Sequence, residues 1–307
     1  GIALIYGLTG TSSLDGVAKV ISGLKGGEIA TDPVMVLALI LLIAGFGFKL
    51  ALVPFHMWLP DVYQGAPTPV TLYVGSAPKI AAFALTWRVL ADGLLGLHES
   101  WADMLIVLAV LSLGIGNIVA IAQSNLKRML AYSTISHVGF ILMGFAVGTE
   151  DGLRASMFYT LTYVIMAAGA FGMIILLSRR GFEAENLEDF KGLNARSPWF
   201  AFVMLMVMFS MAGVPPLVDF YAKVVVLESL LAVNMFWLAG SAVFFTVIGA
   251  FYYLRVVWYM YFADPLNEES LEATTDLRVA LSINGLVLLA LGVFPGPLLD
   301  LCVQVLS

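Results

Sequence analysis

Eight stretches of this chain are predominantly apolar for about twenty residues or more: 33–58, 69–90, 101–122, 129–148, 153–178, 198–227, 235–262 and 279–299. A helix rises 1.5 Å per residue, so about 20 such residues cross the hydrocarbon layer of a bilayer. No other feature constrains the fold as strongly. In lipid every backbone N–H and C=O must bond within the protein, which leaves only helices and closed barrels. Strands alternating apolar and polar residues are absent, so a barrel is excluded. Composition agrees: 61% of residues are hydrophobic and 12% charged, against about 25% charged in soluble domains. The mean hydropathy of +0.96 cannot be hidden in one water-soluble core. The expectation is an all-α, polytopic membrane protein with eight full spans. Residues 1–9 read as the stub of one more, because the chain opens with Gly1 inside an apolar stretch, with no basic n-region and no cleavage motif.

The polar loops are short. The longest are 179–197 and 263–278, neither large enough for a domain, so 1–307 reads as a single membrane domain. Orientation follows from Lys and Arg in the loops. One side receives Lys127, Arg128, Arg179, Arg180, Lys191, Arg196 and Arg278; the other receives Lys19, Lys25, Arg88 and Arg154. This bias places loops 123–128 and 179–197 in the cytoplasm and the C-terminus outside. The net charge of −6 offers no basic patch for nucleic acid. One cysteine, Cys302, gives no disulfide framework and no thiolate or Fe–S site.

Two spans carry proline in mid-run, "LVPFH" at 52–56 and "GVPPL" at 213–217. Pro54 leaves the carbonyl of Leu50 without its helix donor, and Pro215 and Pro216 do the same for Met211 and Ala212. At membrane depth such carbonyls need another partner, so broken helices occur where they face protein or water. A pair of proline-interrupted spans points to a transporter site. Ordinary proline kinks would explain the same residues.

Charge inside the spans is rare: Lys49, Lys79, His137, Asp219 and Lys223, with Arg255 nearer one end. Each Lys or Asp at mid-bilayer costs about 2.5–3.5 kcal/mol on insertion scales, so intramembrane charges mark ion or proton paths. Lys49 and Lys79 lie about ten residues from either end of their runs, roughly 15 Å of helix, which is beyond snorkelling reach. His137 sits among Ser133, Thr134 and Ser136. It reads either as a satisfied core histidine or as a relay member. With no second histidine at ligand spacing it is not a metal site. His56 lies in the first broken segment and ranks below His137. Asp219 and Lys223 share a helix face at i,i+4 and read as an ion pair. Arg255, beside Tyr252, Tyr253 and Trp258, reads as an interfacial anchor or a helix-contact group. A lysine that passes protons must spend time neutral, a differential stabilisation of roughly 4–5 kcal/mol against an ordinary lysine. Lys49, Lys79, His137 and Lys223 on four spans make a candidate proton relay. No nucleotide loop, nucleophile triad or haem ligand pair appears.

The motifs "FKLALVPFHMWLPDVYQGAPTPVTLYVGSAPKIAAF" (48–83), "NLKRMLAYSTISHVGF" (125–140), "MAGVPPLVDFYAK" (211–223) and "FYYLRVVWYMYF" (251–262) resemble the antiporter-like membrane subunits of respiratory complex I. "PFHMWLPDVYQGAP" favours the subunit N branch over the two larger relatives, subunits L and M. The resemblance spans nearly the whole chain. It implies about fourteen spans, of which these look like the last nine, arranged as two related five-helix repeats that each hold a broken helix. It also implies a proton path through residues matching Lys49, Lys79, His137 and Lys223. NADH, FMN, Fe–S clusters and quinone would then belong to partner subunits, with no cofactor or metal bound by this one. The expected partners are the other complex I membrane subunits, including the larger antiporter-like ones, and lipid. The expected location is the bacterial inner membrane. Two departures stand out. The family usually has glycine where this chain has Asp219. It also pairs its first lysine with a glutamate on an earlier span that is absent here. Asp219 and His56 are therefore candidate modulators. A multisubunit Na⁺/H⁺ antiporter or membrane-bound hydrogenase shares the ancestral fold and is the alternative. A structural spacer with lysines as interhelical glue is a third reading.

Overall fold

Among the residues described by the computed structural model, 1–23, 32–179, 181–265 and 273–306, the chain is helical without named strands. Residues 24–31, 180, 266–272 and 307 lie outside this description, and with them Lys25 and Arg180 of the charge tally. The helices are α1 (Ile2–Thr9), α2 (Leu14–Gly23), α3 (Pro33–Leu50), α4 (Trp58–Gly65), α5 (Thr68–Gly75), α6 (Ala77–Trp87), α7 (His98–Ile121), α8 (Leu126–Val147), α9 (Glu150–Leu177), α10 (Pro198–Ala212), α11 (Val218–Ala232), α12 (Phe236–Phe262), α13 (Thr275–Val293) and α14 (Gly296–Leu306). A π-helical turn, Arg88–Gly93, extends α6.

Among the described residues, six helices, α3, α7, α8, α9, α12 and α13, are long and apolar enough to cross a membrane unbroken. The other two apolar runs are split. Residues 198–227 become α10 and α11, as the prolines predict. Residues 69–90 become α5 and α6, a third break that differs from the sequence expectation of one continuous helix. Its cause is local: Pro78 removes a donor in the first turn of α6, and Ser76 adopts φ −117°, ψ −89° with its hydroxyl bonded to the Leu72 carbonyl at 2.6 Å.

The ends of the helices are set by short polar signals. Asp32 caps α3, accepting from the Val34 amide at 2.7 Å, with Pro33 at the first helical position. Asn125 caps α8 and Thr149 caps α9; between α8 and α9 the chain turns at Gly148, φ 69°. The two proline breaks end alike. At the first, Ala51 takes φ 65° and the Leu52 amide reaches back to the Gly47 carbonyl at 2.7 Å. At the second, Gly213 takes φ 79° and the Val214 amide reaches the Phe209 carbonyl at 2.9 Å. Both are left-handed C-terminal caps that satisfy carbonyls of the last helical turn, Gly47 and Phe48 at the first and Phe209 and Ser210 at the second. The Val53–Pro54 and Pro215–Pro216 peptide bonds are cis.

Helix α8 is the axle of the bundle. All its residues except Arg128 and Tyr132 are buried, against α7, α9, α4 and α11. Small residues let α9 close on it: a Cβ at Gly144 would strike the Ser156 hydroxyl and the Gly152 carbonyl. The Leu126 amide bonds the Glu185 carbonyl at 2.6 Å, and the Gly192 amide bonds the Tyr259 carbonyl at 3.0 Å, so the start of α8, residues 185–192 and the end of α12 lie at one end of the bundle.

Candidate functional site

Lys79 stands in the first turn of α6, 4% exposed, and its Nζ donates to the Leu50 carbonyl at 3.1 Å. Lys223 stands in the second turn of α11, and its Nζ donates to the Met211 carbonyl at 3.0 Å. Each break therefore presents a carbonyl that proline has deprived of its helix donor, and each such carbonyl accepts from a buried lysine. The C-terminal end of a helix carries partial negative charge, which favours both ammonium groups there.

Lys49 is placed differently from the sequence reading. It lies in the last turn of α3, not at mid-helix, because the helix stops at Leu50 rather than continuing to residue 58. It is exposed on the surface of this chain rather than buried. His56 follows Pro54 in the connection, half-buried, with Nδ1 unbonded and its ring 6.4 Å from that of Tyr132. Pro54, Pro215 and Pro216 are themselves exposed.

His137, near the middle of α8, is a junction. Its Nδ1 meets the Tyr159 hydroxyl at 2.8 Å and its Nε2 meets the Tyr253 hydroxyl at 3.0 Å. Tyr253 also shares a hydrogen bond with Ser133 at 2.5 Å. Asp219, in the first turn of α11 and 0% exposed, lies 2.7 Å from Lys223 Nζ and 4.0 Å from His137 Nδ1. The structure thus brings His137, Asp219 and Lys223 together. A small cavity lined by Asn117, Ser136, His137, Lys223 and Tyr252, among others, adjoins them, with room for about one water. Asn117 donates to Ser136 at 2.8 Å and accepts from Tyr252 at 3.0 Å.

Among the described residues no hydrogen bond joins Lys79 directly to His137. Buried hydroxyls lie on the way. A Cβ at Gly75 would meet the Tyr63 hydroxyl at 2.9 Å, Thr134 bonds Tyr163 at 2.7 Å, and the Tyr163 ring lies 5.2 Å from His137. Sequence reasoning missed Tyr159, Tyr163, Tyr253 and Asn117, because tyrosines on a buried helix face read as packing. It also counted Lys127 only as a loop charge. The Lys127 side chain is 0% exposed. Its Nζ donates to the Ala66 carbonyl at 2.7 Å and lies 3.2 Å from Glu183 and 3.6 Å from Glu185. Glu183 also accepts from the Thr68 amide and hydroxyl, both at 2.8 Å. Partial burial pushes the Glu183 carboxyl up, but the Thr68 bonds and Lys127 together outweigh it and hold it below the usual carboxylate range. This clamp pins residues 183–185 to the α4–α5 hinge.

Among the described residues no group of three or more His, Cys, Asp or Glu stands placed to hold a metal ion. A family model described as "NADH:quinone oxidoreductase/Mrp antiporter, TM" matches residues 1–249. The chain belongs to this antiporter family. Its curated relatives include NADH-quinone oxidoreductase subunit N of Thioalkalivibrio sulfidiphilus, 58% identical, and of Thiobacillus denitrificans, 55% identical; each alignment covers 100% of this chain and 63% of the relative. Among solved structures, a chain of respiratory complex I from Thermus thermophilus with bound aureothin aligns at TM-score 0.82 and 35% identity, covering 98% of this chain and 64% of that one. The chain thus spans under two thirds of the length of these relatives. It is a multi-pass membrane protein of the antiporter-like fold, as the apolar runs and broken helices imply.

Proposed function

We propose that this chain is part of a proton-translocating membrane subunit of bacterial NADH:quinone oxidoreductase, residing in the inner membrane. In this reading 1–307 forms one antiporter-like domain and 179–197 a cytoplasmic loop. Protons pass through Lys49, Lys79, His137 and Lys223, driven by quinone reduction in partner subunits that hold NADH, FMN, Fe–S clusters and quinone. The larger antiporter-like subunits and lipid flank it. This chain does no redox chemistry of its own.

The observation that carries the reading is the pairing of two broken helices with two buried lysines, each on a carbonyl released by proline. Each ammonium thus sits at a helix break beside a carbonyl, Lys223 with the Asp219 carboxylate also at 2.7 Å, and buried titratable groups so placed mark proton paths in membrane proteins. His137, bonded on both ring nitrogens to tyrosine hydroxyls, sits where a proton arriving on one nitrogen is balanced by loss from the other. Lys49, exposed beside the first break, is in this reading the relay member at the chain's own surface.

The test is made in the complete enzyme, in inverted membrane vesicles driven by NADH. Lys79→Ala and Lys223→Ala are each expected to abolish most NADH-driven acidification while the complex still assembles on native gels. Full acidification in both variants refutes the relay. Failure to assemble, with normal pumping in whatever enzyme forms, favours lysines as interhelical glue. A Na⁺/H⁺ antiporter role is distinguished by Na⁺-dependent acidification without NADH.

A further inference from the structure

The second break carries something the first lacks. At the first, the C-terminal end of α3 meets two cations, Lys49 in its last turn and Lys79 on its Leu50 carbonyl. The acid that begins the next helix, Asp61, lies at the surface with Arg128. At the second break the end of α10 holds Lys223, and Asp219 stands buried in the first turn of α11. The order in space is helix C-terminus, ammonium, carboxylate, helix N-terminus. Each charge complements the dipole end nearest to it as well as its partner. The side chain of Asp219 is 0% exposed and that of Lys223 10%, so water screens this pair little. An ordinary stabilising ion pair has no reason to face a third titratable group, yet His137 Nδ1 is 4.0 Å from the carboxylate.

Resting on the relay reading above, we propose that Asp219 is a positioning residue of that relay: its carboxylate is shared between Lys223 and His137 and couples the proton on one to the proton on the other. With His137 neutral, the three groups carry zero net charge, Lys223 positive and Asp219 negative. A proton arriving on His137 forms a second N–H bond and makes the ring a cation. The carboxylate turns towards it, and Lys223 loses the partner that kept it charged. The Lys223 N–H bond then breaks, its proton passing to water in the adjoining cavity beside Asn117. The net charge of the three groups is again zero, with His137 now positive. The groups facing Asp219 from the surrounding helices are few: Lys223 on its own helix, His137 on α8, Tyr159 on α9, and Tyr252 and Tyr253 on α12. Tyr159 bonds His137 Nδ1 and lies beside the carboxylate, so its hydroxyl is placed to bridge the two. Without the Asp219 carboxylate Lys223 would keep only the Met211 carbonyl.

The experiment uses the complete enzyme in inverted vesicles and reads NADH-driven acidification per NADH oxidised, its pH profile, and assembly on native gels. Asp219→Asn and His137→Gln are each expected to slow pumping about tenfold, and the double variant no further, because both break one handoff. The pH profile of the Asp219→Asn enzyme is expected to move by about one unit or more. Asp219→Glu, which keeps the charge, is expected to restore pumping to within about twofold. Losses that multiply to about a hundredfold in the double variant, or an Asp219→Asn enzyme with wild-type rate and pH profile, overturn the proposal. If Asp219→Asn fails to assemble, Asp219→Glu decides: an assembled enzyme that pumps with the wild-type profile supports it, and one that assembles but does not pump overturns it. Lys223→Met separates the two readings. If it pumps fully, the relay itself falls. If it is inactive, the Asp219 outcomes bear on this proposal alone.

Discussion

Ser112→Ala removes a single oxygen from the buried side of the first break. The Val53 amide has lost its helix, which ends at Leu50, and it donates instead to the Ser112 hydroxyl at 3.0 Å. Ser112 is 0% exposed and Val53 4%, so no water replaces the lost acceptor. A buried donor left unpaired costs about 1–3 kcal/mol, which is about 5–150-fold in an equilibrium constant. That factor applies to local opening of the 51–57 segment, since the rest of α7 is unchanged. Amide hydrogen exchange of the peptide containing Val53, measured by mass spectrometry on the assembled enzyme, is expected to accelerate by that factor. The matching segment of the second break, 213–217, serves as the internal control and is expected to stay within about twofold of wild type. Because the Leu50 carbonyl that anchors Lys79 lies three residues before Val53, pumping is expected to fall alongside. Ser112→Thr keeps the hydroxyl and is expected to keep protection. Unchanged exchange at Val53 in Ser112→Ala refutes the reasoning that the Ser112 hydroxyl holds the Val53 amide closed.

Arg255 holds the end of α7 with two bonds, NH1 to the Ile121 carbonyl at 2.8 Å and NH2 to the Gln123 carbonyl at 2.7 Å; Arg255→Lys cannot span both and is expected to cost about 1–2 kcal/mol, read as a lower thermal midpoint of the purified complex, with no change counting against the role. Gly144→Val places atoms where the Ser156 hydroxyl and Gly152 carbonyl already stand, so overpacking is expected to cost about 1–3 kcal/mol and to reduce the amount of assembled complex on native gels, whereas Gly240→Val, with open space around the glycine, is expected to leave it unchanged. The Glu183 carboxyl is held below its ordinary value, so its contribution to the loop clamp is present above the unfolded value of about 4.3 and is lost as pH falls through the lower folded value. Protease access to the 179–187 loop is therefore expected to stay flat from neutral pH down to about 4.3 and to rise below it. Glu183→Gln, which cannot ionise, is expected to raise access already at neutral pH and to remove that acid transition; an unshifted transition in the variant assigns it to another group.

Prolines and lysines made much of the site legible in the sequence. Pro54 and Pro215 alone predict which carbonyls lose their helix donors, and the structure shows Lys79 on Leu50 and Lys223 on Met211. The position of Lys49 was not legible. Hydropathy continues past residue 50, and the helix ends because Ala51 enters the left-handed region, where a glycine would have announced the stop. The third break at Ser76 was hidden for a related reason: one proline in the first turn of a helix is ordinary, and the sequence does not show that the Ser76 hydroxyl folds back onto the Leu72 carbonyl. The tyrosines around His137 were invisible to pattern reading because an aromatic ring fills a helix contact whether or not its hydroxyl finds a partner. Lys127 counts in the sequence only as a cation of the 123–128 loop, because the carboxylates that bury it come from a loop more than fifty residues away.

Helix α8 has little reason to be greasy. Its neighbours enclose it almost completely, so in the folded protein lipid never tests its surface, and Ser133, Thr134, Ser136, Lys127 and His137 sit on it without meeting hydrocarbon. Biogenesis meets the same segment before that enclosure exists. A nascent helix carrying these groups and Arg128 enters the membrane less readily than the more apolar α7 before it, because polar groups raise the cost of insertion. The tight Gly148–Thr149 turn hands α9 to α8 as soon as it is made. The helix that carries His137 is thus expected to depend on α7 and α9 for its entry into the bilayer, so that a lesion in either neighbour would show first as poor insertion of α8.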